Sequence, residues 1–224
     1  MRRFFILLAS IAMVLNMQAQ SSRDFIKQAI RKKNDCKTVA ITKHNGDAMI
    51  YGDNGWGAKD CPSKFVKSLK ELNNNDVEIK DIHLTEEGKW LILYGNNGMH
   101  WDGIYDDLLD RMIKYNTNGE EITTVTFNDN QDWILITTQN ISASSSELLN
   151  WLGEGCEKYG QLWTACLTDD AVVAVYQEGY KFSGQVPEDL KRALKECTSM
   201  IYNVKIAGNA WFFKCTDGHW RFCM

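Results

Sequence analysis

The residues with the greatest capacity for chemistry are seven cysteines and four histidines, and their spacing favours neither catalysis nor metal binding. His219 and Cys223 lie near each other at the C-terminal end, but no activating partner or oxyanion loop accompanies them. Zinc sites usually contain closely spaced ligands such as CxxC, which does not occur, and the histidines fall in different segments. The sequence therefore predicts no metal and no cofactor, and His219 with Cys223 is the one catalytic alternative.

The first 20 residues are typical of a secretory signal peptide. Arg2 and Arg3 precede the apolar run "FFILLASIAMVL", which is too short to span a bilayer because a spanning helix needs about 20 residues. Cleavage is expected after Ala19 or Gln20, and no cysteine nearby could carry a lipid anchor. We predict Sec-dependent export to the periplasm or beyond, with residues 21–224 forming a single domain.

Export changes the expectation for the cysteines. In an oxidising compartment paired cysteines form disulfides, and an odd number leaves one thiol free. The pairing cannot be derived from the sequence and stays open. The cysteines concerned are Cys36, Cys61, Cys156, Cys166, Cys197, Cys215 and Cys223.

Charge and hydropathy exclude two classes of partner. The chain carries a net charge of −4 at pH 7, and losing Arg2 and Arg3 with the signal makes it more acidic. Proteins that bind nucleic acid neutralise phosphates with clustered lysine and arginine, and no such cluster occurs here. No second apolar run reaches membrane length. We therefore expect no nucleic-acid partner and no membrane span after signal cleavage.

The elements that must position any site recur along the chain. Five apolar strands follow tight turns at intervals of roughly 40 residues, a period typical of repeat folds. Each is preceded by another short strand, which predicts a β-hairpin, and the segments between hairpins have helical periodicity, as in "PSKFVKSLKEL". The predicted units cover residues 21–57, 58–101, 102–142, 143–182 and 183–224.

These units predict an α/β fold of five tandem helix–β-hairpin repeats. A single unit cannot bury the apolar faces of both its helix and its hairpin, whereas stacked neighbours can. Two arrangements satisfy this requirement: a closed ring resembling an α/β propeller, and an open curved stack. The ring is favoured because closure protects the edge strands at both ends.

Two resemblances follow from this pattern. The segment "GKWLILYGNNGM", followed by a helix and another strand, resembles a tandem repeat of many uncharacterised secreted bacterial proteins; this implies a repeat fold and no particular activity. A five-unit α/β ring is also similar to the pentein architecture, whose enzymes use a histidine and a cysteine near the C-terminus. Only His219 and Cys223 could correspond to these, and the guanidine-binding acids of penteins have no convincing counterpart.

Aromatic residues recur in the segment after four of the five hairpins, with polar residues in the turns before them. One interpretation is that each aromatic packs into the apolar layer of its unit. The other is that these loops gather on one rim, where they would stack on sugar rings. The candidate ligand-binding residues are Trp56, Trp101, Tyr180, Trp220, Asp53 and Asn97. The glycines before the aromatics, such as Gly55 and Gly98, are expected to require positive φ.

The sequence therefore favours an exported, non-catalytic binding or interaction protein, whose partner would be a glycan or another envelope protein. The alternative is an exported hydrolase of pentein-like architecture that uses His219 and Cys223. A third hypothesis is a scaffold without any small ligand.

Overall fold

The computed structural model describes residues 21–33 and 35–224, so the predicted signal peptide lies outside the described residues. The helices are α1 (Ser22–Lys33), α2 (Ser63–Asn74), α3 (Asp106–Thr117), α4 (Ser146–Tyr159) and α5 (Glu188–Glu196). The strands are β1 (Cys36–Ala40), β2 (Asp47–Tyr51), β3 (Gly55–Lys59), β4 (Ile79–Leu84), β5 (Trp90–Tyr94), β6 (Gly98–Asp102), β7 (Ile122–Phe127), β8 (Trp133–Thr137), β9 (Ile141–Ala143), β10 (Leu162–Leu167), β11 (Ala171–Tyr176), β12 (Tyr180–Gly184), β13 (Ile201–Ala207), β14 (Ala210–Cys215) and β15 (Trp220–Cys223).

Each repeat contains one helix and one antiparallel sheet of three strands, not the two-stranded hairpin that we predicted. The first two strands form the predicted hairpin, and the segment assigned to an aromatic loop is the third strand. In the second unit, for example, β6 pairs with β5 from Trp90 opposite Asp102 to Tyr94 opposite Gly98. These third strands escaped prediction because they are short and rich in glycine and polar residues, which are depleted in strands.

The glycines that begin two of the third strands have a packing role. A Cβ atom on Gly55 would overlap the ring of Tyr51, and a Cβ atom on Gly98 would overlap the ring of Tyr94. Neither glycine has positive φ, so our prediction is wrong for these two, although Gly218 in the fifth unit does have it; in the second turn the positive φ values belong to Gly95 and Asn97. The bare backbone is needed because an aromatic ring crosses directly over it.

The helices lie between successive sheets and form one apolar core at each junction. Phe65 and Leu69 of α2, for instance, share a core with Ile50 of the first sheet and Ile82 of the second. The spacing of these helical residues matches the apolar face predicted from the sequence. Each core therefore requires two neighbouring units, as expected for a repeat fold.

The same type of core joins the last unit to the first. Ile26 and Ile30 of α1 pack with Met49 of the first sheet and with Phe212 of the fifth. The first strands also contact one another in the order β1, β4, β7, β10 and β13, and β13 contacts β1 again. The arrangement is therefore propeller-like and favours the ring over the open stack, although the five sheets remain separate and none is continuous around the axis.

The prediction of a mixed α/β fold with five tandem repeats is confirmed at this level. Within the described residues no helix is both long enough and apolar enough to cross a membrane. The first strand of every unit lies next to the axis, and the third strand lies at the outer edge of its sheet. This placement determines which residues can meet in one site.

Candidate functional site

A layer of buried polar side chains surrounds the axis of the molecule. In every unit the pairing between the first and second strands is irregular near the start of the first strand. The residue that follows this irregularity is polar in all five units. The next residue along each strand, such as Val39 or Ile82, belongs to an apolar core, and because successive side chains of a strand point to opposite faces, the polar position faces the axis. We call these residues the axial layer: Thr38, Asp81, Thr124, Thr164 and Asn203.

Asp81 is the centre of the hydrogen bonds in the axial layer. Its carboxylate accepts from Thr38 Oγ1 at 2.6 Å and from Asn203 Nδ2 at 2.9 Å. It also accepts from Lys205 Nζ at 2.8 Å, and both members of this ion pair are at least nine-tenths buried. A buried carboxylate is tolerated only when its lone pairs are satisfied in this way. The layer therefore links the first, second and fifth units.

His83 and Cys166 lie beside this ion pair but are not poised for catalysis. Burial, together with the charge of nearby Lys205, lowers the pKa of His83 to about 4, and His83 Nε2 is 2.6 Å from the backbone oxygen of Phe127. Burial raises the pKa of the Cys166 thiol, whereas a nucleophilic cysteine needs a lowered one. The adjoining cavity has a volume of about 40 Å³, which suits a few water molecules and excludes a sugar-sized substrate.

A larger pocket opens at the end of the axis where the first strands begin. It has a volume of about 380 Å³, and every unit contributes a residue from its first strand. We call it the axial pocket. These five residues, which occupy equivalent positions, are Lys37, Lys80, Thr123, Trp163 and Tyr202.

The axial pocket combines aromatic and hydroxyl groups with lysines that are already paired. Lys37 binds Glu78 and Lys80 binds Glu121, each at 2.5 Å and each across a junction between units. Met200, which is 39 % exposed, forms part of the wall beside the partly exposed rings of Trp163 and Tyr202. The lining is thus mostly apolar and carries little net charge.

The predicted aromatic residues lie in four different sheets. Trp56 packs in the core between the first and second sheets, and Trp220 packs in the core between the fifth and the first. Tyr180 packs between the fourth and fifth sheets, where its hydroxyl donates to the backbone oxygen of Leu194 at 2.6 Å. Trp101 alone of these four is an exposed aromatic, at 40 %. The structure therefore does not bring the four onto one surface.

Trp101 borders a shallow groove on the outside of the molecule. The groove has a volume of about 380 Å³ and lies between β6 and α2, with Lys64, Lys67 and Glu71 on the helical side. Lys64 Nζ lies 3.0 Å from Asp102. A single exposed tryptophan beside flexible charged side chains gives less enclosure than the axial pocket.

The two predicted polar residues connect neighbouring units. The backbone oxygen of Asp53 accepts from Ile79 N at 2.8 Å. The side chain of Asn97 donates to the backbone oxygen of Glu120 at 2.6 Å and accepts from Ile122 N at 3.0 Å. Both contacts join the turn before a third strand to the start of the next unit, which gives these residues a structural task.

His219 and Cys223 have different partners. His219 Nδ1 lies 3.1 Å from Asp217, and its side chain is 85 % exposed. Cys223 lies beside Asp189, and burial together with this neighbour raises the pKa of the thiol. No hydrogen bond joins His219 to Cys223 in the described part of the chain, so the arrangement gives no support to the hydrolase alternative.

All seven cysteines are thiols in this structure, so the disulfides stay a prediction. Within residues 21–33 and 35–224, no three histidine, cysteine, aspartate or glutamate side chains converge on a point that could hold a metal ion.

The residues of the axial pocket were missed by the sequence reasoning. Trp163 is the second residue of β10, in "LWTACLT", and Tyr202 is the second residue of β13, at the start of "YNVKIAG"; their sequence pattern predicts only hairpin arms. The available signal was that the second residue of each first strand is lysine, threonine, tryptophan or tyrosine, where a buried strand would be apolar.

Comparison with known proteins identifies no family. No family description matches the chain, and no curated protein matches its sequence. One similar solved structure is described as "YCF48 bound to D1 peptide", with a TM-score of 0.30 and 8 % identity. The alignment covers 80 % of this chain and 47 % of that one, so the chain spans about half the length of that structure. A likeness at this level carries no argument about function.

Proposed function

We propose that this chain is an exported, non-catalytic binding protein whose ligand site is the axial pocket. The observation that carries the proposal is a concave site of about 380 Å³ to which all five units contribute a residue. Ligand pockets of globular proteins have volumes of this order, with aromatic and apolar walls and a few polar groups. Export is proposed from the predicted signal segment, which begins with Arg2 and Arg3.

A neutral sugar ring is the ligand that fits this lining. Trp163 and Tyr202 offer flat apolar surfaces, and Thr123 and Gln161 offer hydroxyl and amide groups for sugar hydroxyls. The two lysines of the pocket are paired with glutamates, so an anionic ligand would have to compete with existing ion pairs. A glycan is therefore favoured over an anion, and a protein partner is the alternative that the experiment must separate.

The catalytic alternatives lack support from the geometry. The most enclosed candidates, His83 and Cys166, border a cavity too small for a sugar, and the Cys166 thiol is protonated at neutral pH. A binding role requires neither of them.

The test is titration of residues 21–224 with a panel of neutral oligosaccharides, followed by tryptophan fluorescence and calorimetry. Trp163→Ala should weaken binding by at least about 30-fold, because truncating an aromatic anchor at the centre of a site costs about 2 kcal/mol or more. Trp101→Ala is the matched control, since it removes an exposed tryptophan outside the pocket. Thermal unfolding of both variants monitors the fold.

Three outcomes separate the alternatives. Loss of binding in Trp163→Ala with retention in Trp101→Ala supports the axial pocket. The reverse pattern would place the ligand in the outer groove beside Trp101 and overturn the assignment. No saturable response to any sugar would reject the glycan and leave a protein partner as the surviving hypothesis.

A further inference from the structure

Two cysteines of the fifth unit have their sulfur atoms almost in bonding contact. Cys197 follows the end of α5, and Cys215 is the last residue of β14. Their Sγ atoms are 3.1 Å apart, about 1 Å longer than a covalent bond between sulfurs of about 2.05 Å. No other two cysteine sulfurs make such a contact among the described residues. Cys36 and Cys61, for example, contact backbone oxygens instead.

We propose that Cys197 and Cys215 form a disulfide in the exported protein. The geometry needs only a small adjustment, because both residues lie at ends of elements, where the backbone can move most easily. Cys197 follows the last turn of α5, and the strand pairing of Cys215 with Ile201 is the end pair of the sheet. Two cysteines that are already this close form a cross-link when an oxidising compartment supplies a disulfide donor.

The reaction is thiol–disulfide exchange with a donor disulfide, either a small molecule or a protein. Cys197 is partly exposed, so its thiolate attacks one sulfur of the donor and releases the other as a thiol. Cys215 is buried, and burial raises the pKa of its thiol to about 12, so it reacts second. It attacks the sulfur of Cys197 and releases the second donor thiol. The donor gains two electrons and two protons, and the protein loses them.

The cross-link would fix one wall of the axial pocket. The segment after Cys197 contains Met200, which lines that pocket. Two hydrogen bonds hold this segment against the turn before β15: Thr216 N donates to the backbone oxygen of Met200 at 2.9 Å, and Ser199 donates to Asp217. A disulfide would add a covalent tie at the start of this segment. The consequence for ligand binding rests on the proposed function, whereas the cross-link itself does not.

The experiment is to express the full chain, with its predicted signal peptide, in cells that export it to an oxidising compartment, then to denature the protein and alkylate it before and after reduction. The proposal predicts two fewer alkylated cysteines before reduction, and a peptide pair that contains Cys197 and Cys215. Reduction should lower the unfolding temperature by about 6–12 °C, the shift expected when a loop of this length loses its cross-link in a domain of this size. Cys197→Ser/Cys215→Ser should lack both effects.

The control is Cys61→Ser, which removes a partly exposed cysteine whose thiol donates to the backbone oxygens of Asp47 and Lys59. This variant should retain the cross-link and the response to reduction. Full alkylation of the unreduced wild type, even after incubation with oxidised glutathione, would overturn the proposal, and so would a disulfide that joins Cys197 or Cys215 to a different cysteine. A confirmed cross-link in a protein that binds no sugar would reject the proposed pocket and leave the disulfide standing.

Discussion

The buried His83 should make the stability of this protein depend on pH in a predictable way. Its imidazole faces Lys205 and Asp81 on the axis and Asp129 in the neighbouring unit, and it contacts the backbone of Phe127. Burial is the main cause and the charge of Lys205 the second cause of a pKa that is lowered from 6.5 to about 4. The hydrogen bond and the two carboxylates act in the opposite direction and are smaller.

The direction in which stability changes with pH depends on when His83 takes up a proton in the folded and in the unfolded state. In the unfolded chain the His83 imidazole takes up a proton as the pH falls through about 6.5, whereas the folded chain takes it up only near pH 4. The contribution of neutral His83 to stability is therefore fully present above about pH 6.5. It is lost progressively as the pH falls from there towards 4. Between pH 7 and pH 5 the loss amounts to about 2 kcal/mol.

The assay is urea unfolding at pH 7 and at pH 5 for the wild type, His83→Gln and the control His44→Gln. Glutamine cannot titrate, and its amide can still donate to the oxygen of Phe127. The wild type should lose about 2 kcal/mol more than His83→Gln on acidification. His44 is exposed, so its variant should behave as the wild type does. Equal losses in the wild type and in His83→Gln would refute the reasoning.

The other predictions concern packing and the axial ion pair. Lys205→Met should destabilise the protein by about 3–5 kcal/mol because it leaves the Asp81 carboxylate buried beside neutral donors only. Adding Asp81→Asn should recover part of that loss in a double-mutant cycle of urea unfolding, and simple additivity would contradict the pairing. Gly98→Ala should cost about 1–3 kcal/mol, because the new methyl group overlaps the ring of Tyr94. Tyr94→Leu should reduce that cost, and an unchanged cost would show that the ring is not its cause.

The repeat was predictable from sequence because its signals are local. The hairpins and the helices depend on apolar spacing within one unit, as Phe65 and Leu69 illustrate for α2. The third strands were not predictable, since a strand such as β6 is defined by pairing with β5 and by the ring of Tyr94 over Gly98. Their composition resembles that of a turn. For this reason Trp101 and its counterparts were assigned to loops rather than to outer strands.

The candidate site was harder to predict than the fold, because it depends on which side of each first strand faces the axis. Trp163 and Tyr202 are 39 residues apart in sequence and meet only because two units adjoin at the axis. Within one unit, the sequence pattern identifies each of these residues only as part of the first strand of a hairpin. Superposing the five first strands by position, rather than inspecting each alone, exposes the polar positions.

The axial layer also favours one propeller-like arrangement of the five units over others. A ring of near-equivalent repeats could pair its first strands in several ways if every axial position carried the same residue. Here Asp81 of the second unit needs Thr38 from the first and Lys205 from the fifth. Any other neighbour would leave a buried charge without its partner, at a cost of several kcal/mol. Because apolar cores between units resemble one another, the buried ion pair between Asp81 and Lys205 discriminates between arrangements that the cores alone would treat as nearly equal.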